Sequence, residues 1–354
     1  MRRRDLLTGS LAALAAGLPG RSALAATTLG DAAARARVTF GSAFDRDAVD
    51  DRAYGDLLRR EARILTTDWS MKFDALRPRG PEADFSGAER LVRFAEEARI
   101  PVRGHTLIWN ENLPAWLKAL SRERRASWLD RHVGEVMERF AGRIHSWDVV
   151  NEPFWPDHGN KGGFRGGPWY DALGPGYVLA AFRAAAKADP GAKLVLNEAF
   201  TESGDHLGLT VRAGLLRLVD DIRAAGLRID AVGLQGHITR GRPFDPVGWR
   251  RFLADLAARD VEIWITELDV DDHIFPGSAE ERDARVAEVY RVVLDTALGE
   301  PKVTTVITWE LADGFSHYRD VHGADARPLP FDRALQPKPA FDAMVAAFRA
   351  RAAR

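Results

Sequence analysis

Two stretches of the chain end in groups able to do acid–base or nucleophilic chemistry. In Ser146-Trp147-Asp148-Val149-Val150-Asn151-Glu152-Pro153 an apolar, β-branched run stops at an Asn-Glu pair and a proline. In Val261-Glu262-Ile263-Trp264-Ile265-Thr266-Glu267-Leu268-Asp269 a second run again delivers a carboxylate. Such runs read as buried strands. Proline cannot continue a ladder, so the first strand should stop at Glu152. Two glutamates at the tips of two strands face each other only if the sheet closes or curls. A carboxyl pair, one protonated and one ionised, is the machinery of glycoside hydrolysis. The residues alone leave open which is which. A glutamate after a strand is commonly just a solvated end, but two, each with a polar partner, favour a catalytic pair.

Other candidates gather around these two. His237 follows Gln235 in Gly233-Leu234-Gln235-Gly236-His237. A lone strand histidine is usually a satisfied core group. Placed beside Glu267 and Asp269, it could instead orient a nucleophile and hold it ionised. Of ten tryptophans, Trp128 and Trp147 read as core, whereas Trp109, Trp155 and Trp309 fall at strand ends or in the following loops. Aromatic faces there suit the C–H faces of sugars. The Gly-rich stretch 159–167 lacks the Gly-Lys-Ser/Thr order of a phosphate loop and reads as the loop after the fourth strand. Asp269, Asp271, Asp272 and His273 fit no metal signature, and a solvated acidic loop is the expectation there.

These groups need a frame that brings strand tips together. Candidate strands are 38–44, 64–67, 101–109, 144–152, 193–198, 231–238, 261–269 and 303–311. Helical patterns lie between them, among them 88–98, 126–140, 176–188, 207–225, 246–258 and 279–297. Eight strand–helix units predict an α/β fold, a single (β/α)₈ TIM barrel of about 250 residues or more. Polar groups at the C-terminal tips support this: His105, Asn151, Glu152, Asn197, Gln235, His237, Glu267 and Trp309. An open doubly wound sheet would carry glycines in its first turn, and none follow Phe44.

Composition narrows the partners. The 354 residues are 46% hydrophobic, enough for one large core, and the formal charge is −1, which argues against nucleic acid. There is no cysteine, so disulfides, zinc-thiolate sites and cysteine nucleophiles are excluded. Residues 1–25 read as a leader. Arg2-Arg3-Arg4-Asp5-Leu6-Leu7 precedes an Ala-Leu-rich run and then Ala23-Leu24-Ala25, the order of a twin-arginine signal. The run is well short of the ~20 residues of a spanning helix. The expectation is a mature chain from near Ala26, exported to the periplasm or beyond, free of the membrane and monomeric.

At the level of motifs the chain resembles glycoside hydrolase family 10, the family of retaining endo-β-1,4-xylanases. The motifs that carry the likeness are Met71-Lys72-Phe73-Asp74, Arg103-Gly104-His105-Thr106-Leu107-Ile108-Trp109, Asp148-Val149-Val150-Asn151-Glu152, Gly233-Leu234-Gln235-Gly236-His237 and Ile265-Thr266-Glu267-Leu268-Asp269, in the family's order. The resemblance implies Glu152 as acid/base and Glu267 as nucleophile, with His237 and Asp269 as the nucleophile's support. It implies that Asn151 binds the 2-hydroxyl of the sugar being cleaved, and that Lys72, His105, Trp109, Gln235 and Trp309 wall the same −1 subsite. Retention implies carboxyl groups about 5–5.5 Å apart. No metal or organic cofactor is implied.

The departures also form a pattern. Asp68-Trp69 stands for the family's Glu-Asn, and Asn110 and Asn112 for His and Gln. Asn197-Glu198-Ala199-Phe200 stands for Asn-Asp-Tyr-Asn, Trp309-Glu310 for Trp-Gly, and His317 for a tryptophan. Asn197 still matches a substrate-binding position. Asp68, Trp69, Asn112 and His317 match the −2 subsite, so the sugar beside the cleaved one is expected to be held differently. A different β-linked glycan, such as a branched or acidic exopolysaccharide, is the alternative substrate. A polysaccharide-binding protein that has lost catalysis is the rival class, and the presence of both glutamates argues against it.

Overall fold

Short buried strands alternate with amphipathic helices along the chain, and the strands close on themselves. The computed structural model describes residues 27–354. The expected leader, residues 1–25, lies outside the described residues. The barrel strands are β1 (Thr39–Phe44), β2 (Leu65–Thr67), β3 (Val102–Gly104), β4 (Ser146–Asn151), β5 (Lys193–Glu198), β6 (Ala231–Leu234), β7 (Glu262–Val270) and β8 (Val303–Thr308). A helix follows each: α1 (Arg52–Glu61), α2 (Ser86–Ala98), α3 (Arg122–Arg139), α4 (Tyr177–Ala188), α5 (His206–Ala224), α6 (Pro246–Ala257), α7 (Ala279–Ala297) and α8 (Pro339–Ala352). All neighbouring strands are parallel. The ring closes where β8 pairs with both β7, through Val303↔Ile263, and β1, through Thr39↔Thr305. This is the (β/α)₈ barrel that the alternation predicted.

Local chemistry sets the helix starts. Asp51, Ser121, Asp205, Asp245 and Ser278 each accept a hydrogen bond from a backbone N–H of the first turn of α1, α3, α5, α6 and α7, satisfying donors that have no intrahelical partner. At α7 Glu281 returns the favour to the Ser278 N–H, a full capping box. The strands are buried on both faces, and glycine lets them take bulk. A Cβ on Gly104 in β3 would lie 2.3 Å from the Trp147 indole of β4, so the ring occupies the space that a side chain would need.

Four strands end earlier than the sequence suggests, each for a visible reason. Glu152 does not close β4. It has left the ladder with φ +48°, although its N–H still reaches the Asn197 carbonyl at 2.9 Å. The stretch 101–109 is two segments, because the Thr106 hydroxyl (2.9 Å) and the Leu107 N–H (3.0 Å) both turn to the Asp148 carbonyl, and pairing resumes only at Ile108–Trp109. The stretch 231–238 bends at Gly236, φ +82°, before the short pairing of His237–Ile238 with Asp269–Val270. β8 stops at Thr308, since Glu310 sits at φ +69°. Left-handed backbone is uncommon for residues other than glycine and is typical of functional turns. Here it bends the chain just past the strand tips.

Candidate active site

The tips of β4, β5 and β7 converge on a hydrogen-bonded unit built around Asn197. Its Oδ1 accepts from the Thr266 hydroxyl at 2.7 Å and from Arg103 at 3.1 Å. That leaves its Nδ2 to donate to Glu267 Oε1 at 2.7 Å and to Asn151 Oδ1 at 2.9 Å. Asn197 is fully buried, so it acts on a ligand through Glu267 and Asn151. Arg103 is held in turn by an ion pair with Asp148, whose second oxygen takes the His105 Nδ1 at 2.8 Å.

Glu267 receives a second partner. His237 lies between Asp269 (Nδ1 to Oδ1, 2.8 Å) and Glu267 (Nε2 to Oε2, 3.3 Å). Burial works against a charged imidazole, but the charge of Asp269, its hydrogen bond and those of Glu267 hold His237 well above its ordinary value. The imidazolium donates to both carboxylates. For Glu267 burial favours the acid, and it is overcome by the His237 hydrogen bond and the charges of His105, His237 and Arg103, which bring the carboxyl down to about 2. A carboxylate kept ionised in a dry site is poised as a nucleophile.

Glu152 is anchored from three sides. Gln235 Nε2 donates to its Oε1 at 2.9 Å, and the Trp109 indole N–H to its Oε2 at 3.2 Å. The Arg165 guanidinium meets Oε2 at 2.9 Å while its Nε holds the Glu152 carbonyl at 2.9 Å. Gln235 Nε2 also reaches Asn151 Oδ1 at 3.4 Å, so Glu152 and Glu267 are tied together through Gln235, Asn151 and Asn197. Directly behind them Glu198 is fully buried. Its carboxyl is bound by the backbone N–H groups of Phe154 (3.0 Å) and Ala199 (2.9 Å). Burial, then the charge of Glu152, pushes it well above the carboxylate range.

The wall of the site is aromatic and carries one cation. Lys72 Nζ lies 5.3, 5.4 and 5.9 Å from the rings of Trp69, Trp109 and Trp309, and 3.5 Å from Asp68. The His105 ring meets Trp309 edge to face at 5.4 Å. Trp69 is 39% exposed, its backbone N–H held by Asp45 at 3.1 Å. His317 is exposed, with Nδ1 3.7 Å from Asp269 Oδ2. Asn112 is also exposed, on the loop beyond Trp109 with φ +46°. It makes no hydrogen bond to the groups around the glutamates. The remaining candidates thus gather as the motifs predict, while His317 and Asn112 stand at the rim.

One sequence expectation is corrected. Asp269, Asp271 and Asp272 are buried, not a solvated acidic loop. Asp271 accepts from His322 Nε2 at 3.0 Å, and Asp272 meets Arg282 at 3.1 Å and the Arg327 N–H at 2.8 Å. These partners come from α7 and from segments after β8, so spacing around residue 270 carried no sign of them. Among the described residues no group of three His, Cys, Asp or Glu side chains is arranged to hold a metal.

Sequence reasoning missed Arg165 and Glu198 as parts of the site. Arg165 lies in the Gly-rich loop, where only the loop's nearness to Glu152 hinted at contact. Glu198 stood next to a tip residue, Asn197, and was legible as one.

Comparison with known proteins adds an independent line. The model of glycosyl hydrolase family 10 matches residues 28–347. The chain is 31% identical over 323 residues to endo-1,4-beta-xylanase C of Phanerodontia chrysosporium, covering 90% of this chain and 78% of that protein. It is 32% identical over 301 residues to endo-1,4-beta-xylanase B of Thermotoga neapolitana, covering 83% of each. Native xylanase 10B from Thermotoga maritima superposes with a TM-score of 0.82 at 30% identity, covering 92% of this chain and 99% of that one. Xylanase 10B from Thermotoga petrophila RKU-1, solved in complex with xylobiose, gives 0.82 at 29% identity over 92% and 98%.

Proposed function

The chain belongs to glycosyl hydrolase family 10, and from that premise we propose that it is a retaining endo-1,4-β-xylanase. Its substrate is xylan or a xylo-oligosaccharide. The observation that carries the reading is the carboxyl pair at the tips of β4 and β7, with one member ionised by His237 and both joined through Gln235, Asn151 and Asn197.

The geometry supports a division of roles. Glu267 has its charge fixed and both oxygens oriented, so it attacks the anomeric carbon. Glu152 protonates the leaving oxygen, and a glycosyl-enzyme forms on Glu267. Glu152 then removes a proton from water, which attacks the same carbon and restores Glu267. Asn151 lies between the two and suits the 2-hydroxyl of the reacting sugar. Trp109 and Trp309 offer ring faces, and Lys72 a donor, to that sugar. As the sugar develops oxocarbenium character, the Glu267 carboxylate faces the growing positive charge.

The leader-like residues 1–25 support export and action outside the cytoplasm. The test is release of xylo-oligosaccharides from soluble β-1,4-xylan by the chain lacking residues 1–25, with Glu267→Ala as control. Products that vanish in the variant are expected. No release by folded protein would overturn the xylanase reading and direct attention to other β-linked glycans.

A further inference from the structure

Three adjacent strands, β8, β1 and β2, each deliver a carboxyl just past their tips: Glu310, Asp45 and Asp68. Together with Arg46, Arg319 and Phe315 they line a pocket of about 260 Å³. Asp68 is the wall shared with the active site, because it also faces Lys72 Nζ at 3.5 Å. Glu310 immediately follows Trp309 of the −1 wall. The pocket therefore opens beside the −2 sugar, the one next to the cleaved residue on its non-reducing side. This placement rests on the family reading of the site.

Several of these groups also hold the fold together. Asp45 accepts from the Trp69 N–H (3.1 Å), the Ser70 hydroxyl (2.6 Å) and the Arg46 N–H (2.6 Å), so it fixes the turn that carries Trp69. Phe315 stacks on Tyr54 with centroids 3.7 Å apart. The Tyr54 hydroxyl donates to Glu310 Oε2 at 2.8 Å. Glu310 is only 3% exposed, and with Oε2 taken by Tyr54 its Oε1 is the oxygen left for the pocket that Glu310 lines. Its left-handed backbone, φ +69°, turns the chain just past the tip of β8, where the pocket lies.

We propose that this pocket binds an uncharged sugar branch carried by the −2 residue of the glycan. Size and chemistry both point to one neutral ring. The volume lies below the ~300–1,000 Å³ of pockets that enclose drug-sized ligands. Hydroxyls can donate to Asp68 and accept from Arg46 and Arg319. Burial, then the charges of Asp68 and Asp45, push Glu310 well above the carboxylate range. A shift in this direction favours its protonated form, in which the carboxyl can both donate and accept. The Phe315 edge suits the C–H face of a ring. A uronic acid branch would bring a third carboxylate against Asp45 and Asp68, and is disfavoured.

The experiment compares three oligosaccharides of one β-1,4-xylan backbone: linear, with a single neutral pentose branch on the residue that occupies −2, and with a uronic acid branch there. kcat/KM is measured for the native enzyme, Glu310→Gln and Arg319→Ala. The native enzyme should cleave the pentose-branched substrate at least as well as the linear one. Each variant should lose about tenfold on the branched substrate and little on the linear. Equal losses on both substrates, a tenfold native preference for the linear one, or preference for the uronate would each overturn the proposal. If no substrate is cleaved, the xylanase reading fails separately. Calorimetric binding of the same ligands to Glu267→Gln then decides the pocket: tighter binding of the pentose-branched ligand, lost in Glu267→Gln/Glu310→Gln, supports it, and equal binding sinks it.

Discussion

His237 shows how one side chain converts a structural carboxylate into a catalytic setting. It is a cation because Asp269 stands behind it, and Glu267 is low because His237 stands before it. Asp269→Asn removes the charge that sustains the imidazolium. Glu267 then loses its strongest donor, and the acid limb of the kcat/KM profile should move to higher pH. Activity at pH 4–5 should fall more than activity at pH 7. A uniform loss across the profile, with an unmoved limb, would refute this coupling. Asn197→Ala removes a donor to Glu267 and the tie to Asn151 at once, and kcat should drop by about 10²–10³. Thermal stability measured alongside separates a loss of fold from a loss of chemistry. At this scale the sequence was readable where chemistry sat beside a strand pattern. Glu152, Glu267 and His237 follow apolar runs, so their placement was legible. Arg165 reaches Glu152 from a loop 13 positions later, and no periodicity links the two. The aspartates near residue 270 were misread for the same reason, since the partners that bind them come from distant elements.

Elements place these side chains through close packing at the strand ends. β3 and β4 can lie together because Gly104 leaves room for the Trp147 ring. Gly104→Ala would put a methyl 2.3 Å from that ring, with backbone on one side and a fully buried indole on the other. The variant should be less stable by about 1–3 kcal/mol, read as a lower denaturant midpoint at unchanged m-value. Unchanged stability would mean that β4 can shift, and with it Glu152. The strands and helices themselves were legible, several to within two residues, because buried runs and amphipathic patterns are local properties. Their ends were not. The left-handed turns at Glu152, Phe200 and Glu310 depend on what each side chain meets after the strand stops. Tertiary partners set that, and propensity does not.

The whole molecule carries an unusual load of buried acids around the barrel mouth. Glu198 and Glu310 are pushed well above the carboxylate range and Glu202 to about 7, in each case first by burial. Their folded forms keep protons that the unfolded chain releases, so their contribution is greatest at low pH and is lost as pH rises through the folded values. His237, raised by its partners, acts in the same direction. Buried His132, lowered to about 3, acts oppositely, but only below its unfolded value of 6.5. Between pH 6.5 and 8.5 the raised groups act alone, and Tm should fall across that window. Glu310→Gln should flatten the fall, and a Tm that rises instead would contradict the assignment. The closure of β8 against β1 has a consequence in time. The side pocket takes Asp45 and Asp68 from one end of the chain and Glu310 from the other, brought together at this seam. Bringing together residues about 260 positions apart is entropically slow, and seams of this kind open before the elements they join. During folding the carboxyl pair on β4 and β7 can assemble without the seam, whereas the pocket cannot. The ability to cut a bond and the ability to choose which glycan to cut would then arise at different moments, with selectivity the last property gained and the first surrendered to heat.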